Sequence, residues 1–168
     1  ESRSRIFPPF RYRQGFRFLS NPEANTIIVL LGYDLDNSIY ALRVISAAWS
    51  VIGKEYTLTI RIHPAATFTF YELCLRVFEG VPEYVSESSD ELNKELSMAV
   101  WAICGSTGLT VELALQGVPT VLISDPNFLP LNYLEHLEGL SAQPWWSLCW
   151  SVKDLIAAAK NFESRPRD

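Results

Sequence analysis

A histidine followed by proline, His63-Pro64, and a run of small residues, Cys104-Gly105-Ser106-Thr107-Gly108, are the features of this sequence best suited to chemistry. Proline stops a strand from continuing its ladder, so the imidazole of His63 stands where a strand ends. There it can donate an N–H to an anionic oxygen, more strongly when it carries a charge. The small-residue run leads from an apolar stretch into a helical pattern. Its two glycines let another group approach the backbone, and a helix start presents N–H groups with positive partial charge, which together favour an anion such as a phosphate. Other helix starts in the chain make the contrast. Thr69-x-x-Glu72, Ser88-x-x-Glu91 and Ser151-x-x-Asp154 match or approximate capping boxes. Ser106 is followed three residues later by Leu109 and Thr107 by Thr110, so this start has no reciprocal acid and is left more open to a ligand. Within the helix, Glu112 lies between Val111 and Leu113 and either faces solvent or accepts hydrogen bonds from a diol. Arg61, on the same strand face as His63, is either a solvated arginine or a second phosphate contact.

Two further turns follow apolar runs. Gly32-Tyr33-Asp34-Leu35-Asp36-Asn37-Ser38 is acidic enough to suggest a metal loop, but Asp, Asn and Ser are ordinary helix N-caps, and the spacing falls short of a calcium loop. No metal site is expected. Ser124-Asp125-Pro126-Asn127-Phe128 suits a turn or a contact to a sugar. Ser106, Asp125 and His136 occur in the chain order of α/β-hydrolases, yet the nucleophile elbow of those enzymes needs Gly-x-Ser-x-Gly. Cys104 occupies the first glycine position here and would crowd the turn.

Positioning these loops requires strands and helices in alternation. From Thr26 onward, short β-branched or apolar runs alternate with stretches of helical periodicity, the pattern of parallel βαβ units. The fold class is α/β, a Rossmann-like three-layer sandwich with a mainly parallel sheet. Strands are expected at 26–31, 57–62, 84–86, 100–104, 118–123 and 145–150, and helices at 38–51, 69–78, 89–97, 108–116 and 152–162. Gly53 and Gly117 end two of the helices. The run 26–31 is apolar throughout, as in a strand covered on both faces. The 57–62 run alternates, with Leu58, Ile60 and Ile62 on one side and Thr57, Thr59 and Arg61 on the other, so one of its faces is less covered. In such sheets ligands bind at the carboxyl ends of the strands, which is where all four turns fall.

Composition sets the outer bounds. The 168 residues, 48% of them apolar, suit one packed domain and exclude disordered and fibrous classes. No apolar run approaches the roughly 18 to 20 residues of a membrane span. Cys74, Cys104 and Cys149 are odd in number, widely spaced and set among apolar residues, as expected of reduced thiols in a cytoplasmic protein without disulfide or zinc. Five arginines against Glu1 give the first 17 residues a charge of +4, leaving −9 for the rest of a chain whose total is −5. A general nucleic-acid binder is excluded on that balance. The basic lead, residues 1–25, carries Pro8-Pro9 and the aromatics Phe7, Phe10, Tyr12, Phe16 and Phe18, which suit a linker packing against a neighbouring domain. With no initiator Met and no signal core, the chain reads as a piece of something longer. Residues 26–163 form the domain and 164–168 a frayed tail.

The stretch Trp101–Ile123 resembles the nucleotide-binding region of GT-B glycosyltransferases, in which a strand ends at a small Ser/Thr turn, a helix carries a glutamate and Gly-x-Pro leads into the next strand. Ser106, Thr107, Glu112, Gly117 and Pro119 stand at those places. With His63-Pro64 upstream, the chain is similar to the CMP-sugar-using group, the bacterial sialyltransferases and Kdo transferases, over roughly residues 26–162. The resemblance implies a nucleotide-sugar donor domain of a transferase for surface polysaccharide synthesis, with a CMP-sugar as substrate and no cofactor. His63, Pro64, Gly105, Ser106, Thr107 and Gly108 would hold the leaving phosphate, with His63 in the catalytic role, and Glu112 would hold the ribose. It further implies an N-terminal acceptor domain carrying the catalytic base, and a cytoplasmic location compatible with peripheral attachment to the inner membrane face. The alternative is a non-catalytic Rossmann-like module that docks a partner through Trp145, Trp146 and Trp150.

Overall fold

The computed structural model describes residues 21, 23–53, 55–105, 107–110, 113, 118–127 and 146–163. Six strands, β1 (Thr26–Leu30), β2 (Thr57–Arg61), β3 (Val85–Glu87), β4 (Ala99–Cys104), β5 (Thr120–Ile123) and β6 (Trp146–Cys149), form one sheet. Their order is β3-β2-β1-β4-β5-β6, and every pairing is parallel. The helices are α1 (Leu35–Ile52), α2 (Phe70–Phe78), α3 (Leu92–Ser97) and α4 (Val152–Glu163). Helical backbone is also present at Leu109, Thr110 and Leu113.

Alternation along the strands divides the apolar side chains between two cores. Ile27, Val29, Leu58, Ile60, Trp101 and Ile103 point to one side, where α1, α2 and α4 supply Leu42, Ile45, Leu73 and Leu155. Ile28, Leu30, Ala102, Cys104 and Leu122 point to the other, against Leu96 of α3, Leu113 and Trp146. A parallel sheet buried on both faces needs runs such as β1 and β5, buried almost throughout. In β2, Leu58 and Ile60 are fully buried while Thr57 is exposed and Thr59 and Arg61 are half-buried, the one-sided cover its alternation predicts. On that polar side hydroxyls pair across strands, Thr26 with Thr57 at 3.1 Å and Thr59 with Ser86 at 3.2 Å.

The helix ends follow local chemistry. Asp34 caps α1 by accepting the Asn37 N–H at 2.8 Å, so the acidic turn serves the backbone. Thr69 and Glu72 form the expected capping box on α2. Ser151 and Asp154 make a variant in which Asp154 accepts from the Ser151 hydroxyl and the Trp150 N–H. Ser88 departs from expectation. Helix α3 begins only at Leu92, with Glu91 at its cap and no side-chain cap bond, because the Ser88 hydroxyl instead donates to Glu95 at 2.8 Å. Gly53 ends α1 for a reason other than a left-handed turn. Its φ is −95°, and a Cβ there would lie 2.2 Å from the Trp49 ring.

Candidate functional site

The strand order reverses direction between β1 and β4. The chain runs outward from β1 to β2 and β3, then crosses back to β4 and proceeds the other way. At such a switch point the following connections lie on opposite faces and leave a crevice at the carboxyl edge. The loops bordering it are Leu31–Asp34 after β1, Ile62–Thr69 after β2 and Gly105–Gly108 after β4. With adjacent strands about 4.8 Å apart, the ends of β2 and β4 flank β1 at roughly 10 Å from one another, the scale of a nucleotide's sugar and phosphate.

His63 is half-buried in this edge. The Ala65 N–H donates to its Nδ1 at 3.1 Å, which leaves Nε2 as the nitrogen that carries the proton in the neutral ring. Tyr33, from the loop after β1, meets the imidazole edge-on with ring centroids 5.9 Å apart, and is itself 57% exposed. The two rings thus hold each other beside the crevice. Pro64 and Ala65 form the exposed turn that supplies the bond to Nδ1.

Across β1, the Gly105 N–H donates to the Leu30 carbonyl at 2.9 Å, continuing the sheet one residue beyond β4. Thr107 is buried, and its hydroxyl accepts the Leu109 N–H at 3.4 Å, while its carbonyl accepts the Thr110 hydroxyl at 2.7 Å. The threonine therefore gives the helix start a weak cap of its own. Neither glycine is explained by strain or crowding. Both lie outside the left-handed region, a Cβ on Gly105 would make only ordinary contact, at 3.7 Å from Leu31, and one on Gly108 would meet nothing within 4 Å. Ser106, Glu112 and Gly117 lie outside the described residues. Pro119 precedes β5, where its carbonyl accepts from Ala102 at 2.8 Å.

Several candidates find other employment. Arg61 donates to Glu95 at 3.2 Å and to the Ser88 hydroxyl and Asp90 carbonyl, each at 2.9 Å, so it ties β2 to the β3–α3 connection and is not a freely solvated arginine. Asp125 accepts both the backbone and side-chain N–H of Asn127, at 2.9 and 3.0 Å, the bonds of a turn. Burial, and after it the carboxylates of Asp125 and Asp154, raise the Tyr40 phenol, which stays neutral and donates to the Trp150 carbonyl at 2.8 Å. Burial pushes the Cys104 thiol up to about 12, removing it as a nucleophile. In the hydrolase order, Ser106 and His136 lie outside the described residues. Of the tryptophans, Trp146 is buried in the second core and Trp150 is half exposed, while Trp145 lies outside the described residues. No group of three or more His, Cys, Asp or Glu that could hold a metal occurs among the described residues. Sequence reasoning assigned no role to Tyr33, although an aromatic directly after the glycine that ends a buried strand was a signal for it.

No family model and no curated protein matches this sequence. Solved structures do. The calicheamicin glycosyltransferase CalG4 superposes with a TM-score of 0.58 at 18% identity, over 90% of this chain and 36% of its own. The UDP-GlcNAc 2-epimerase of Methanocaldococcus jannaschii, solved with UDP-GlcNAc and UDP, gives 0.58 at 13%, over 87% and 41%. This is the Rossmann-like half of a GT-B fold. The Escherichia coli heptosyltransferase WaaC, solved with ADP, gives 0.51 at 17%, over 85% and 45%. At these identities the likeness is one of fold, and the chain spans less than half the length of each of these GT-B-like neighbours. No helix among the described residues is long and apolar enough to cross a membrane.

Proposed function

We propose that this chain is the donor-binding half of a glycosyltransferase, taking a CMP-sugar for bacterial surface polysaccharide synthesis. The observation that carries the reading is the set of loops at the switch point, where His63 offers Nε2–H on one side of β1 and the Gly105–Gly108 turn stands on the other. In this reading His63 and the Ser106-Thr107 turn take the leaving phosphate, and Glu112 holds the ribose. As the sugar–phosphate bond breaks, its electron pair leaves with the phosphate oxygen. Donors already aimed at that oxygen stabilise the growing charge more in the transition state than in the ground state. Glycines at 105 and 108 keep the approach to the backbone clear. The acceptor and the base that deprotonates it belong to a second domain outside this chain. CalG4 and WaaC, as transferases of the same fold, support the reaction class. The preference for cytidine rests on the order of the His63-Pro64 and Ser106-Thr107 motifs.

Calorimetric and NMR titration with CMP, CDP, UDP, GDP and ADP tests the reading. The expected result is selective CMP binding with a shifted His63 resonance. Preference for UDP or GDP overturns the cytidine assignment and keeps the transferase half. Absence of binding at millimolar nucleotide overturns donor binding by this chain and favours a partner-docking module. Sugar transfer by the chain alone would sink the division of labour between domains.

A further inference from the structure

A groove of about 270 Å³ lies on the second face of the sheet, lined by none of the switch-point loops. Its floor is the polar side of β1 to β3, with Ile28 among Thr26, Thr59 and Ser86, and its wall is α3, with Lys94, and Met98 just past the helix end. Parallel sheets bury both faces. Helices α1 and α2 cover the first face of β2 and β3, but among the described residues the opposite face carries only α3 along one side. Thr59 is half-buried there and Ser86 exposed, and Met98 remains 43% exposed.

We infer that the first 20 residues of the chain's own basic lead dock in this groove. Three observations select that occupant over another. The lead must enter the domain through Asn21, and Asn21 is fastened at the groove's wall, its amide donating to the Ser97 carbonyl at 3.3 Å and to Met98 Sδ at 3.4 Å. The charges are complementary, since residues 1–20 carry +4 while the groove's lining holds three carboxylates, Glu87, Asp90 and Glu95, against Lys94, with Arg61 paired to Glu95 beside it. The surfaces also match in kind. Arginine N–H groups find acceptors in the hydroxyl floor, and the lead's aromatics find the exposed Met98 thioether, a contact that aromatic rings favour.

Thiol protection in the full chain tests the inference. Ser86→Cys places a reporter in the groove and Ala47→Cys, on the exposed side of α1, an open control; the three native thiols are buried and do not compete. Iodoacetamide should alkylate the Ser86→Cys thiol at least about tenfold more slowly than the control. Replacing Arg5, Arg11, Arg13 and Arg17 by Glu should bring the two rates together. Lys94→Cys, on the exposed wall, gives the same readout if Ser86→Cys fails to fold. Equal rates with the native lead overturn the inference, and so does protection that survives the arginine replacements. Protection that fades on dilution also overturns it, assigning the groove to the lead of a second copy.

Discussion

Because the Ala65 amide donates to Nδ1 of His63, what the ring can offer a ligand is settled two residues away, by the turn that Pro64 begins. If Nε2–H meets the leaving phosphate, His63→Ala should weaken CMP binding by about 1 to 3 kcal/mol, and His63→Gln, whose amide also donates, should lose less; calorimetry measures both. The glycine at 108 makes a separate case. With open space where its Cβ would stand, Gly108→Ala should leave stability within about 1 kcal/mol of the parent, tilted upward by the lower entropy of the unfolded chain. If the position faces a nucleotide, affinity should nonetheless fall by about tenfold, equivalent to about 1.4 kcal/mol. Equal affinity in the folded variant would move the ligand away from this turn. The His63-Pro64 pair and the small-residue turn stood out in the sequence as candidates because each is a short run of neighbouring residues. The partnership of His63 with Tyr33 was not, since the two residues are joined only by the pairing of β1 with β2.

Elements were recovered from periodicity to within a few residues at most ends, and the exceptions are informative. Helix α3 starts three residues later than its pattern suggests because the Ser88 hydroxyl joins Glu95 and Arg61 instead of forming a cap with Glu91. That arrangement makes Arg61 a tie between strands. Arg61→Ala strands Glu95, whose side chain is only 10% exposed, and should cost about 1 to 3 kcal/mol of stability in denaturant titration. CMP affinity of the folded variant should be unchanged, and a loss of binding without a loss of stability would return Arg61 to the phosphate. Capping boxes at Thr69 and Ser151 were legible because donor and acceptor lie three residues apart. The ion pair spans 34 residues, beyond the reach of any local pattern.

At the scale of the whole molecule, the two cores enclose all three cysteines. Burial first, then the charge of Glu87, pushes Cys74 up to about 11. Burial alone raises Cys104, and burial followed by Asp154 raises Cys149, both to about 12. The native chain should therefore resist a thiol-directed disulfide reagent at pH 8 and release all three thiols on unfolding. The sign of the linkage follows from thiols ionising near 8.5 when unfolded. Their contribution to stability is whole below that pH and is lost progressively as pH rises toward the folded values, so melting temperatures should drop across pH 9 to 11.

What the sequence by itself determined is the alternation of strand and helix, the buried character of β1 and β5, and the loops at which chemistry could occur. Each depends on residues within a turn or a single strand of one another. Only the tertiary structure decided the order β3-β2-β1-β4-β5-β6, and with it the switch point that sets the His63 loop and the Gly105–Gly108 turn on either side of β1. Strand order is a choice about which apolar faces meet across the whole chain, and a periodic pattern names a face without naming its partner. The same choice left the second face of β2 and β3 with a polar floor and set Asn21, near the end of the basic lead, at its rim.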